Sequence, residues 1–266
     1  IVKAIEEQSR TLWQVSNLYY SVPQVELARI LVENSCLDEM YFQNSGTEAN
    51  EAAVKLARKH GKVHLNGAYE IISAQDSFHG RTFAMVAATG QPAHQAIYTP
   101  LPQGFVNIPY NDAEAVISAT TENTCAVLLE PIQGEGGVII PSREYLQKVR
   151  DWCDERGILL MFDEVQTGIG RTGYLFAHEH FGVEPDVMTL AKALGGGIPI
   201  GAIMAKKAAS VFEPGDHGST FSGNALTTAV ALANMRYILE NDVVGNAERV
   251  GAYLKGKLEG LIGKHE

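Results

Sequence analysis

Ile158-Leu159-Leu160-Met161-Phe162-Asp163-Glu164-Val165-Gln166 is the stretch from which the fold is read. Five consecutive apolar residues without polar alternation are short for a helix and read as a strand covered on both faces. The run then breaks into two carboxylates. Strands of this kind belong to parallel sheets between helix layers, where ligands sit beyond the carboxyl ends of the strands. Asp163 thus emerges partly desolvated where a site is expected, in want of a cationic partner. A protonated heterocyclic nitrogen would serve, as would a salt bridge with Arg171.

Outward from this strand, apolar runs at 40–43, 70–74, 125–129, 187–190 and 200–205 alternate with helical patterns at 24–33, 47–60, 113–119, 143–156 and 225–240. This alternation predicts an α/β domain with a mostly parallel sheet between helices. The 266 residues suffice for a large core without staples. Apolar residues at 45% and charged residues at 20% exclude a disordered tail, a collagen-like repeat and a disulfide scaffold. A net charge of -10 argues against nucleic-acid binding. It still leaves room for an anionic small molecule in a local pocket. Cys36, Cys125 and Cys153 are too scattered for a disulfide framework or a zinc site, no other metal site is expected, and a reducing, cytoplasmic setting is the expectation. No run approaches the roughly 18 apolar residues of a membrane span.

Five further motifs border the strands. Ser45-Gly46-Thr47 opens a helix and offers N–H groups and hydroxyls to a phosphate, or simply caps the helix. Phe78-His79-Gly80-Arg81 pairs a ring-covering aromatic with a carboxylate-binding fork; the plain alternative is a core aromatic beside a surface arginine, with His79 structural. The loop from Glu130 to Gly137 carries Glu135, fit to line a pocket or to cap a turn. Lys192, between alanines and before Gly195-Gly196-Gly197, reads as a poorly solvated, nucleophilic amine or an ordinary loop lysine. Ser219-Thr220 begins a second hydroxyl-rich turn before a helix. A sixth pattern misleads: Gly168-Ile169-Gly170-Arg171-Thr172-Gly173 spells a dinucleotide fingerprint. No helix is expected to open there, and Asp186 begins its strand instead of ending it.

The blocks SGTEAN (45–50), FHGRT (78–82), EPIQGEGG (130–137), FDEVQTGIGRTG (162–173), AKALGGG (191–197) and GSTFSGN (218–224) resemble, in order, those of the class-III, ornithine-type aminotransferases. The separation of 29 residues between Asp163 and Lys192 agrees with that family. The resemblance covers nearly the whole chain. It implies the large domain of the type I (aspartate aminotransferase-like) fold of pyridoxal-phosphate-dependent transferases. It also implies pyridoxal 5′-phosphate as cofactor, with Lys192 its covalent anchor and Asp163 on its ring nitrogen, the two catalytic residues. Gln166 would contact the ring oxygen and Phe78 would cover the ring. Ser45, Gly46 and Thr47 would hold the phosphate, with Glu164 and Val165 also among the cofactor contacts. Thr220 would reach the phosphate bound by the neighbouring subunit of a homodimer with shared sites. Arg81, Glu135 and Ser219 would meet the substrate.

Within the family, Ser16-Asn17-Leu18-Tyr19-Tyr20, Ala88-Thr89-Gly90-Gln91 and the 191–197 block most resemble members that pass the amino group of N2-acetylornithine to 2-oxoglutarate. Members acting on ornithine, succinylornithine, 4-aminobutyrate or carrier-bound lysine share much of the scaffold. Residues 1–240 are expected to form the cofactor-binding large domain, short of the family's N-terminal segment. Residues 241–266 are expected to form a helix leading to a small C-terminal domain outside this chain. The stripe Ala247, Val250, Leu254, Leu258 and Leu261 accords with a helix seeking a partner surface.

Overall fold

The computed structural model describes residues 1–262 and Lys264. The tail of the expected 241–266 segment, Gly263, His265 and Glu266, lies outside the described residues. Strands β1 (Glu39–Gln43), β2 (Glu70–Ala74), β3 (Phe105–Ile108), β4 (Thr124–Leu129), β5 (Leu159–Asp163), β6 (Val187–Leu190) and β7 (Gly201–Ala205) form one sheet in the order β1-β7-β6-β5-β4-β2-β3. β7 runs antiparallel to both neighbours, and the remaining pairs are parallel. Every residue of β4, β5, β6 and β7 is buried, as continuous apolar runs require of strands covered on both faces.

The helices are α1 (Val2–Ser9), α2 (Val22–Glu33), α3 (Gly46–His64), α4 (Phe83–Ala88), α5 (Pro92–Gln95), α6 (Ala113–Ala119), α7 (Arg143–Arg156), α8 (Ala225–Glu240) and α9 (Val243–Glu259). Side chains alternate across the strands. Ala126, Leu128, Leu159 and Met161 thus face α3 and its alanine stripe of Ala49, Ala52, Ala53 and Ala57. On the other face, Met188, Leu190, Ala202 and Met204 pack with α2 and α8, and Val127, Leu129, Leu160 and Phe162 pack with α6 and α7. Caps set the helix ends. Ser142 accepts the Tyr145 N–H at 3.1 Å to start α7, and Gly157 at φ 65° stops it in the left-handed conformation.

β3 lies outside the runs that the sequence singles out. It is an edge strand in which only Ile108 is buried, so its apolar signal is weak. The C-terminal stripe does form a helix, α9, but none of its residues is buried. Gly170 and Gly173 of the misleading fingerprint, both at positive φ, make room for Val244 and Glu248 of α9, and only a short 3₁₀ turn, Ala177–His180, follows them. No described helix is long and apolar enough to cross a membrane.

Candidate active site

Because β1, β4, β5 and β6 run the same way, their carboxyl ends meet at one edge of the sheet. A cavity of about 460 Å³ lies there, lined by residues 44–47, 78–81, Glu130, Asp163, Gln166 and Lys192 among others.

Asp163 closes β5 at the floor of this cavity and is 3% exposed. Its Oδ2 accepts from Asn50 Nδ2 at 2.7 Å and pairs with His79 Nδ1 at 2.8 Å, while Oδ1 accepts the Val165 N–H at 3.0 Å. Asn50 Oδ1 in turn accepts from the Thr189 hydroxyl at 2.7 Å. A buried carboxylate with this many donors has one orientation. His79 is therefore no remote core histidine: it buttresses Asp163, and its buried Nε2 has no partner among the described residues. Asn50 also escaped the sequence reading. Its signal was there, a polar residue on the alanine-rich, core-facing stripe of α3.

Lys192 begins a short 3₁₀ turn with φ at 39°, a strained value for a non-glycine residue. Its Nζ donates to Gln166 Oε1 at 2.7 Å. The expected desolvation is absent. Lys192 is exposed, and its position comes from the backbone turn and Gln166.

Ser45 caps α3 by accepting the Glu48 N–H at 3.3 Å, and Glu48 Oε2 accepts the Asn44 N–H at 2.7 Å. The first N–H groups of the helix, at Gly46 and Thr47, have no acceptor within it, and both residues line the cavity. Close contacts fix this turn. A Cβ on Gly46 would lie 2.6 Å from Val165 Cγ1, and Gly80, at φ 139°, would bring one to 2.1 Å from Thr47 Oγ1. The Arg81 guanidinium stands 5.4 Å from the centre of the Phe78 ring and 3.2 Å from His94 Nε2.

Two expected contacts, those of Glu164 and Glu135, fall elsewhere. Glu164, placed among the cofactor contacts by resemblance, turns away from the cavity. Its carboxylate accepts from Thr167 Oγ1 at 3.0 Å, Ala177 N at 2.6 Å and His178 N at 2.9 Å, and pairs with His178 Nδ1 at 3.0 Å. It anchors the loop after β5. Burial lowers the basicity of His178, but hydrogen bonds to Cys36 and Glu164 outweigh this and raise its pKa to about 9. Glu135 does not line the cavity; its carboxylate accepts from Gln91 Nε2 at 2.5 Å. Thr220 is exposed outside the cavity, while Ser219 touches its rim by accepting from Asn44 Nδ2 at 3.1 Å.

The model of the family described as aminotransferase class-III matches residues 1–266. The chain belongs to that family. It is 56% identical, over 97% of its length, to an acetylornithine aminotransferase of Gloeobacter violaceus, of which it covers 65%. It is 51% identical, over its whole length, to an acetylornithine aminotransferase of Methanocaldococcus jannaschii, of which it covers 67%. The chain thus spans about two thirds of the length of these relatives. The crystal structure of ornithine aminotransferase from Toxoplasma gondii superposes with a TM-score of 0.95 at 33% identity, over 99% of this chain and 64% of that one. The α/β architecture is that of the transaminases.

Proposed function

We propose that this chain is the cofactor-binding part of an aminotransferase that moves the terminal amino group of N2-acetylornithine to 2-oxoglutarate. One observation carries the reading. A lysine amine held by Gln166, a buried carboxylate at a strand end and an open helix N-terminus converge on a single cavity. The donor set suits pyridoxal 5′-phosphate: a dianionic phosphate at Gly46 and Thr47, a ring nitrogen at Asp163, and a primary amine at Lys192 for the aldehyde. The small size of Gly46 and Gly80 lets Val165 and Thr47 sit where they line the cavity. When bound, the cofactor supplies an electron sink for the carbon that loses its proton.

The residues have separable tasks. Asp163, fixed by Asn50 and His79, accepts a proton-bearing nitrogen and holds that proton in place. With the cofactor bound, Lys192 Nζ would be the base that takes the proton from the reacting carbon. Phe78 and Val165 line the cavity where the ring would sit, and Gln166, which accepts from Nζ, would also meet the ring oxygen. Arg81 offers a two-pronged donor to the substrate carboxylate, which places the far amine at the reacting end. Glu135, released from Gln91, would adjust the pocket between the two substrates, with Ser219 at its rim.

Thr220, exposed outside its own cavity, would complete the phosphate seat of a second copy in a homodimer. A cytoplasmic setting accords with the three free cysteines. The Gloeobacter and Methanocaldococcus relatives carry the name acetylornithine aminotransferase, which favours that donor over ornithine, succinylornithine, 4-aminobutyrate or carrier-bound lysine.

The test is glutamate formation from each of these donors with 2-oxoglutarate, using the natural full-length protein. N2-Acetylornithine should give the highest kcat/KM. Preference for another donor would overturn the substrate, and no amino transfer to any of them would overturn the reaction.

A further inference from the structure

Glu130 follows β4, lines the cavity and is 5% exposed, yet none of the tasks above employs it. Its Oε2 accepts the Phe78 N–H at 3.1 Å and its Oε1 accepts the Gly134 N–H at 3.5 Å. The first bond fixes the turn that presents Phe78. The second fixes a backbone stretch against which Gln166 rests: a Cβ on Gly134 would lie 2.0 Å from Gln166 Nε2. Gln166 in turn holds Lys192 Nζ at 2.7 Å. One side chain thus braces the aromatic wall of the cavity and the support of its lysine. A carboxylate accepts on both oxygens, whereas a carboxylic acid turns one of them into a donor.

We propose that Glu130 is a positioning residue whose ionised form couples the Phe78 turn to the Gly134 loop, holding the ring cover and the Gln166–Lys192 pair in register for the cofactor. This rests on the pyridoxal phosphate reading above. Burial pushes the Glu130 carboxyl up to about 7, with His79 lowering it and Asp163 raising it. The Tyr110 hydroxyl faces it from the other side, donating to its backbone oxygen at 2.7 Å, and Arg81 and Lys192 share the cavity. The coupling is therefore complete above pH 7 and is lost as pH falls through that value.

The test compares pyridoxal phosphate affinity of the natural protein and its Glu130→Gln variant at pH 8 and pH 6, with bound cofactor read by fluorescence. Taking the ratio of the two proteins at each pH cancels the titration of the cofactor itself. The variant should bind about tenfold more weakly at pH 8, and the ratio should approach one at pH 6. A ratio of one at both pH values, or an equal deficit at both, would overturn the proposal. A second measurement needs neither the variant nor the cofactor. The amide proton shifts of Phe78 and Gly134 should titrate together with one midpoint near 7. Separate midpoints, or no titration between pH 5.5 and 8.5, would overturn the coupling. Failure of the natural protein to bind pyridoxal phosphate at either pH, with the shifts titrating as described, would sink the cofactor reading and leave the coupling standing.

Discussion

Asp163, His79 and Asn50 show how a single carboxylate becomes a fixed reference point. The hydrogen bonds from His79, Asn50 and Val165 leave it no freedom to turn toward another cation. Asp163→Asn keeps the shape but cannot keep a proton on the ring nitrogen. Turnover should fall roughly hundredfold or more while the protein stays folded; near-normal turnover in steady-state assays would make Asp163 structural. Glu164, its neighbour in sequence, has the opposite office. With His178 held at a pKa of about 9 against an ordinary 6.5, the His178–Glu164 bond stabilises the fold fully below pH 6.5, and that contribution is lost as pH rises through about 9. The gap in melting temperature between the natural protein and His178→Gln should therefore narrow from pH 7 to pH 10. A gap that stays constant would contradict the charged pair. The strand-end position of Asp163 was legible because an apolar run stops there. The division of labour between Asp163 and Glu164 was not, since Glu164 lies just past the strand end and its partners Thr167, Ala177 and His178 belong to the following loop.

At the level of elements, the site depends on where α3 begins. Ser45 and Glu48 cap the helix reciprocally, and Gly46 lets its first turn press against Val165 from the loop after β5. The short hydroxyl-bearing turn was readable from its residues, and the buried strands β4 and β5 were readable from their unbroken apolar runs. β3 was not, because an edge strand with a single buried residue has little pattern to read. The contact between α3 and the β5 loop was equally hidden, since it joins residues far apart in the chain. Gly46→Ala should suit the helix while forcing Val165 into the cavity. Pyridoxal phosphate affinity should drop about fivefold or more in a fluorescence titration, with little change in melting temperature. Unchanged affinity would mean that Val165 swings away freely and does not shape the ring site.

Across the whole molecule, five of the six blocks scattered through the sequence converge on one edge of one sheet, and the order β1-β7-β6-β5-β4-β2-β3 brings them there. The exposed α9 and the exposed Thr220 turn lie outside that cavity. What the account requires above all is that Lys192, the one lysine lining this cavity, is the covalent anchor. Borohydride reduction of the protein mixed with pyridoxal phosphate, followed by peptide mapping, tests this directly. The account predicts the pyridoxyl group on Lys192 and loss of the label in Lys192→Ala. A label on another lysine, or none at all, would contradict it.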